Sequence, residues 1–452
     1  MISFIVTILL YIQSNIKQLG KFIVAKKLGE FLMKKSLYTL IMFCLTGFVC
    51  YANAETLTWQ DCIDIANRTN NTLLMAKQDL QIAEYDYNII LNKYYPSVNF
   101  KYGFSRSGNG HTGNNWSASL NASQTIYNFQ SNAQIHSQKA NINKTVAQLT
   151  KSSADVYYSL RQAFLQMCFA QENITLLESI YNMRKQSADI VRLQYEGGKE
   201  SKGNMLRAQA QKQSAYVNVS NAKRDLAVAR RVLAQTLGTE LSPLCTVDYK
   251  LEEVEDNIKT DVDNAVANCP DVILSSSTVE IAKYSVDSSK GNLYPNISAS
   301  ASVGVSDEKN PIPPADSKNW NVGVALNYPL FSGGITSSLN SIKSAKTSLE
   351  KAQENYKQTI LTTKTSLEEI LADIERTKDN IEIYKLFLEA AIQRQKEATI
   401  KYRAGTMEFQ TWQDIEQEYV NSQMSHLSAL HNYNLALAKR DKLLGDTHGE
   451  IK

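Results

Sequence analysis

The run Gly108-Asn109-Gly110-His111-Thr112-Gly113 spells G-x-G-x-x-G, the glycine pattern that cradles a pyrophosphate when it opens a helix behind a strand. Here alternating residues flank it on both sides, so it is expected to be an outward-facing hairpin loop between two strands. Of the scattered histidines, His426 and His431 stand five apart, on different faces of a helix. Glu368 with Glu369, and Glu416 with Glu418, read as solvated helix faces. No nucleophile–base arrangement, phosphate loop or metal-ligand spacing accompanies them, so neither an enzyme nor a cofactor is indicated. Cys168 falls on a helix seam and reads as a buried thiol. Cys245 and Cys269 flank an irregular stretch where a bridge is possible, at a spacing that fits no metal site. Asp414, just beyond a helix break at Tyr402-Arg403-Ala404-Gly405, reads on its own as a solvated acid at a helix start, stabilised by the helix dipole.

The elements that must position it come in duplicate. The break at Gly405 has a counterpart at Tyr195-Glu196-Gly197-Gly198, and glycine is the residue expected where a helix ends left-handed and the chain turns back. Each break is followed by a helical pattern of about thirty-five residues ending in Leu-Gly. Before each break lies a long arm with a heptad-like seam. Steps of four and three from Ile142 visit Val146, Leu149, Ser153, Val156, Leu160, Ala163, Met167, Ala170, Ile174, Leu177 and Tyr181. The second arm shows Leu367, Ile370, Ile374, Thr377, Ile381, Tyr384, Leu388 and Ala391. Such seams predict knobs-into-holes packing along arms of roughly 100 Å at about 1.5 Å per residue.

Each copy opens with an amphipathic helix, roughly Trp59 to Asn92 and Asp261 to Gly291, ending at Tyr95-Pro96 or Tyr294-Pro295. Two alternating strands follow in each. Val98, Phe100, Tyr102 and Phe104 point one way in the first copy; Ile297, Ala299, Ala301, Val303 and Val305 do so in the second. Return strands start at Trp116 and Trp320 and run to Ile126-Tyr127-Asn128-Phe129 and to Tyr328-Pro329-Leu330-Phe331. The expected junctions are therefore Pro96, Pro295 and Pro329. The layout is a first repeat over 55–238, an irregular linker over 239–258, a second repeat over 259–446 and a short tail over 447–452.

Four strands of about ten residues suit a membrane-spanning sheet but cannot close a barrel, and an open edge is not tolerated in lipid. Two copies of the chain would supply eight strands and three would supply twelve. The competing reading is a soluble sheet capping an exported helical rod, an envelope scaffold or adaptor without conduction.

Export is expected from the N-terminus. Met33-Lys34-Lys35, the apolar run Leu37 to Val49 and the small-residue site Ala52-Asn53-Ala54 form a signal-peptide pattern, with cleavage after Ala54. Met33 is the expected start, and residues 1–32 read as an upstream extension. Residues 1–54 carry six basic residues against one acidic, more than the whole formal excess of +3. The remainder has 42 basic against 44 acidic residues, which gives no footprint for nucleic acid.

The Tyr-Pro junctions, the "YPLFSGG" return, the tips "YEGGKESKGNMLRAQ" and "YRAGTMEFQTWQDIEQ" and the Leu-Gly ends together resemble the TolC outer-membrane efflux channels, over residues 55 to 446. The resemblance implies a mainly helical fold with membrane β-strands. A homotrimer would share one outer-membrane barrel, embedded in lipid and continued by a helical tunnel through the periplasm of a Gram-negative-type cell. The tips would meet a periplasmic adaptor and an inner-membrane transporter as part of an efflux or type I secretion system. It makes the tips, with Tyr195, Gly198, Tyr402 and Gly405, the closed end. The family's tip tyrosine matches Tyr402. Its aspartate partner falls at Asn204, its tip arginine at Met407, and its two constriction aspartates at Thr411 and Asp414, so that one carboxylate per copy would still form a cation-favouring ring in an oligomer. A charged tip link is therefore expected to be missing.

Overall fold

A computed structural model describes residues 56–108, 112–243, 245–248, 262–308, 317–329 and 335–447. The signal-peptide pattern, most of the linker and the phenylalanine of the "YPLFSGG" return lie outside the described residues. The chain runs β1 (Thr56–Leu57), α1 (Trp59–Thr69), α2 (Asn71–Leu91), β2 (Ser97–Gly108), β3 (Thr112–Tyr127), α3 (Phe129–Glu196) and α4 (Lys202–Leu237). It continues through β4 (Thr246–Val247), α5 (Val262–Asn268), α6 (Pro270–Lys290), β5 (Asn296–Asp307), β6 (Ser317–Asn327), α7 (Ile335–Arg403) and α8 (Phe409–Leu444). The long arms α3 and α7 have 68 and 69 residues, and α4 and α8 have 36 each, so the duplication is nearly exact in length.

Each short amphipathic helix is two helices rather than one. The first breaks at Asn70, whose side chain accepts the Leu73 amide as the N-cap of α2 and donates to the Thr236 carbonyl. The second breaks before Pro270, which has no amide hydrogen to give to a continuing helix. The breaks serve packing. Gly238, at the end of α4 with φ of 74°, lies so close to the Thr69 carbonyl that a side chain there would collide with it. Gly445, at the end of α8 with φ of 71°, sits equally close to the Pro270 ring. The Leu-Gly end of each hairpin is thus seated in the notch of its own copy's split helix.

The seams hold the arms together, with one correction. Val146 is exposed, and the neighbouring Ala147 turns inward instead. Ser153, the polar break in the pattern, is buried. On α4 the inward positions are Ala208, Ala215, Ala222 and Ala229, seven apart. Their small side chains let α4 lie close against the larger residues of α3, such as Leu177 and Ile180 beside Ala222.

The four long strands form one antiparallel sheet in the order β2-β3-β5-β6, so the two copies join through β3 and β5. Pro96 and Pro295 immediately precede β2 and β5, and Pro329 follows β6. Facing residues in the register share a side of the sheet. Phe100 opposes Leu120, Leu120 opposes Val303, and Val303 opposes Trp320. One row up, Val98, Ala122, Ala301 and Val322 align in the same way. One face is therefore apolar and largely exposed in the single chain. The opposite face carries Asn99, Asn121, Ser302 and Asn321 in one row and Lys101, Ser119, Gly304 and Asn319 in the next. Within the chain, β2 and β6 each pair on one side only. No helix of the described residues is long and apolar enough to cross a membrane.

Candidate functional site

Both hairpins turn in the same way. At the first tip the Gly198 amide donates to the Tyr195 carbonyl and the Lys199 amide to the Gln194 carbonyl, at 2.9 and 2.8 Å. At the second the Gly405 amide donates to the Tyr402 carbonyl and the Thr406 amide to the Lys401 carbonyl, at 3.0 and 2.9 Å. Gly198 and Gly405 have φ of 74° and 76°, the left-handed cap expected of glycine at these breaks. Return helix α4 is capped by the Ser201 hydroxyl, which accepts the Asn204 amide.

Between the tips lies a shared apolar core. Ala188 and Val191 of α3, Ala208 of α4, Ala398 and Tyr402 of α7, and Phe409 and Trp412 of α8 pack together, with Met407 against them. The Tyr402 ring stacks on Trp412 at 4.1 Å and an interplanar angle of 13°. Its hydroxyl donates to Glu200 Oε2 at 3.0 Å. Glu200 Oε1 accepts from Asn204 Nδ2 at 2.7 Å and from the Ser201 amide at 2.9 Å. A carboxylate nevertheless faces Tyr402, four residues before the position where the resemblance placed it, and it holds the neutral phenol by a hydrogen bond rather than an ion pair. The capping turn at the start of α4 brings Glu200 and Asn204 side by side, and Asn204 supports the carboxylate instead of replacing it. Partial burial works to raise the Glu200 carboxyl. The hydrogen bonds from Asn204, Ser201 and Tyr402 outweigh that and hold it below the ordinary carboxylate range. Burial, then Glu200, pushes the Tyr402 phenol well above its ordinary value, so it stays a donor.

The remaining tip residues divide by surroundings. Met407, where the resemblance led one to expect an arginine, packs against the apolar core. Thr411 and Tyr195 are exposed. Asp414 is exposed and accepts from Gln410 Nε2 at 2.8 Å, while Gln410 Oε1 accepts from Arg207 of the first hairpin. Asp414 also borders a groove of about 370 Å³ with Tyr384, Phe387 and Glu418.

Above the tip, α3 and α8 run antiparallel and join the hairpins. Asp155 meets Lys442 at 2.9 Å, Phe169 packs on His431 at 4.9 Å between ring centroids, and Arg184 meets Glu416 at 2.7 Å. Glu416 overturns its expected place on a solvated face: it is 1% exposed. Arg184 Nη1 donates to its Oε2, the Ser187 hydroxyl donates to its Oε1 at 2.6 Å, and Arg184 Nη2 donates to Gln417 at 2.9 Å. Burial raises the Glu416 carboxyl and lowers the Arg184 guanidinium, while their mutual attraction opposes both shifts. Glu418 does lie on the exposed face, bound by both oxygens to Arg394 at 2.7 Å. The pairwise burial of Glu416 was hidden in the sequence because its partner is 232 residues away.

The sequence description "outer membrane efflux protein" matches this chain twice, over residues 62–239 and 262–446, one match for each copy of the helix–strand–hairpin unit. The chain belongs to the outer membrane efflux protein family. This makes it an outer-membrane channel for efflux. Among relatives, the outer membrane efflux protein BepC of Brucella suis biovar 1 (strain 1330) is 21% identical over 353 residues, covering 76% of this chain and 77% of BepC. The CusC fold superposes with a TM-score of 0.79 at 19% identity, over 88% of this chain and 96% of CusC. The open state of the Neisseria gonorrhoeae MtrE outer membrane channel gives 0.76 at 18% identity, over 88% and 93%.

The glycine motif lies between paired strands: Gly108 pairs with Thr112 and Ser107 with Gly113, so a strand and not a helix follows it, while 109–111 lie outside the described residues. No disulfide joins Cys245 and Cys269: the first belongs to the core around α1 and the second to a separate cluster beside α7. Cys168 is buried as expected, and burial pushes its thiol up to about 12.

Proposed function

We propose that three copies of this chain assemble into one passive exit duct, with the sheets closing a twelve-strand barrel in the outer membrane and the hairpins forming a periplasmic tunnel. The observation that carries this reading is the one-faced sheet with an unpaired side on both β2 and β6. Unpaired backbone groups in hydrocarbon cost several kcal/mol each, and pairing β6 of one copy with β2 of the next removes both edges. The apolar face then meets lipid and the Ser/Asn/Gly face lines the lumen. Exposed Met75, Ile82 and Ile89, seven apart on α2, supply an apolar row for contact between copies.

In this reading the tips are the gate and the docking end for a periplasmic adaptor, through which an inner-membrane transporter delivers substrate and supplies the energy. Tyr402, Gly405, Met407, Thr411, Asp414, Asn204, Tyr195 and Gly198 form the gate region, with Glu200 as the carboxylate that holds Tyr402. The mature chain begins after Ala54 and consists of two repeats joined by the linker 239–258. No cofactor is required.

Fractionation of cells and imaging of detergent-extracted particles test the proposal together. The expected outcome is a membrane-bound protein seen as a long tube of three-fold symmetry. Recovery of the mature protein from the soluble periplasm without detergent would instead support the scaffold reading.

A further inference from the structure

We propose that Arg184 and Glu416 are positioning residues for the gate: a fixed joint between the hairpins, below which the tips move and above which they do not. The inference rests on the reading of the tips as a gate and adds where that gate must bend.

The contacts between hairpins differ in kind along their length. At the joint, both oxygens of Glu416 and both terminal nitrogens of Arg184 are engaged, by each other, by the Ser187 hydroxyl and by Gln417. The two side chains are 1% and 6% exposed. Separating them would strand two charges in a desolvated place, which is why removing one partner of such a pair is far more damaging than never having had it. Tipward the hairpins are joined by the apolar core around Trp412, and their polar links lie open to water: Gln194 Nε2 reaches the Tyr402 carbonyl at 3.3 Å, and Glu200, which holds the Tyr402 hydroxyl, is partly exposed, so water can replace that bond. Between joint and tip sits Gln413, 3% exposed, with neither its oxygen nor its nitrogen hydrogen-bonded within the chain. A buried amide without partners is a weak point in the packing between the joint and the tip. From Arg184 to Gly198 the free arm is about 20 Å long at about 1.5 Å of rise per residue.

Two cysteine pairs read the motion on either side of the joint in the mature membrane protein. Arg207→Cys with Gln410→Cys spans the tip, and Asp155→Cys with Lys442→Cys spans the same two hairpins far above. A short bismaleimide is the probe; Cys62, Cys168, Cys245 and Cys269 are buried and stay silent. Unlocking the tip with Tyr402→Phe and Glu200→Gln is expected to slow cross-linking of the tip pair at least tenfold and to leave the upper pair unchanged. Adding Glu416→Gln is expected to slow the upper pair as well. The exchange Arg184→Glu with Glu416→Arg is expected to restore it, a rescue that mere loss of packing would not give. If unlocking slows both pairs alike while Arg184 and Glu416 are intact, the joint is not fixed and the proposal fails, with no need to alter the pair itself. If the cross-links behave as expected but the unlocked protein passes no current in planar bilayers, the conduction reading fails and the joint stands.

Discussion

Tyr195 and Tyr402 each stand three residues before a left-handed glycine, at the ends of arms nearly equal in length, yet they have opposite surroundings. Tyr195 is 36% exposed, whereas Tyr402 is 2% exposed, stacked on Trp412 and bonded to Glu200. The backbone turn is duplicated; the interior is not. What separates the tips is the residue that follows. After Gly405 the chain places Met407, Phe409 and Trp412 where they cover Tyr402. After Gly198 it places Glu200, Ser201 and Asn204, which form a polar cap. The first tip thus provides the carboxylate and the second provides the aromatic core it holds, so a link between hairpins requires the two copies to have diverged.

The sharpest way to break this comparison is to remove the aromatic core. Trp412→Ala is expected to cost about 3–5 kcal/mol of unfolding stability, as for a fully buried aromatic, while Tyr195→Ala stays within about 0.5 kcal/mol. Urea unfolding of the detergent-solubilised protein, followed by tryptophan-independent circular dichroism, measures both, and equal losses would mean that the tips are alike.

The link itself comes next. Tyr402→Phe keeps the ring stack but leaves Glu200 without one donor, an expected loss of about 1.5 kcal/mol, the lower range for a bond to a charged group because Glu200 is partly exposed. Tyr195→Phe is expected to change nothing. The pH dependence follows from the lowered Glu200 carboxyl. Its contribution is fully present above the ordinary carboxylate value and is lost as the pH falls through the lower folded value. The difference in urea-unfolding stability between the wild type and Glu200→Gln should therefore be constant from neutral pH down to the carboxylate range and shrink only below it.

Smaller effects sharpen the shared part of the comparison. An added Cβ at Gly198 or Gly405 meets nothing, so alanine at either should cost only the left-handed conformation, about 1 kcal/mol and the same for both. Smallest in stability is Asp414→Ala, within about 0.5 kcal/mol. Its expected effect is a weaker preference for cations in planar-bilayer recordings, and an unchanged reversal potential would take Asp414 out of the conduction path.

Much of this architecture could be read from residue order. The Tyr-Pro junctions, the positions of Gly198 and Gly405, the Leu-Gly ends and the alternation in all four strands come from local rules: proline lacks a donor, glycine tolerates positive φ, and strand side chains alternate. The split at Asn70 was not legible, since an asparagine in a helical pattern becomes a cap only when another helix end, here that of α4 at Gly238, is there to be received. Val146 failed for a similar reason, because a heptad count fixes a seam's period but not which of two adjacent residues the neighbouring helix touches.

The sequence by itself determined the duplication, the one-sided sheet and the place of the tips, because each depends on periodicities of a few residues. Only the tertiary structure decided that Glu200 rather than Asn204 faces Tyr402, and that Glu416 is buried on Arg184 rather than solvated. Both depend on the register between hairpins more than 200 residues apart in the chain, where a shift of four residues would set the amide of Asn204 in the place of the Glu200 carboxylate.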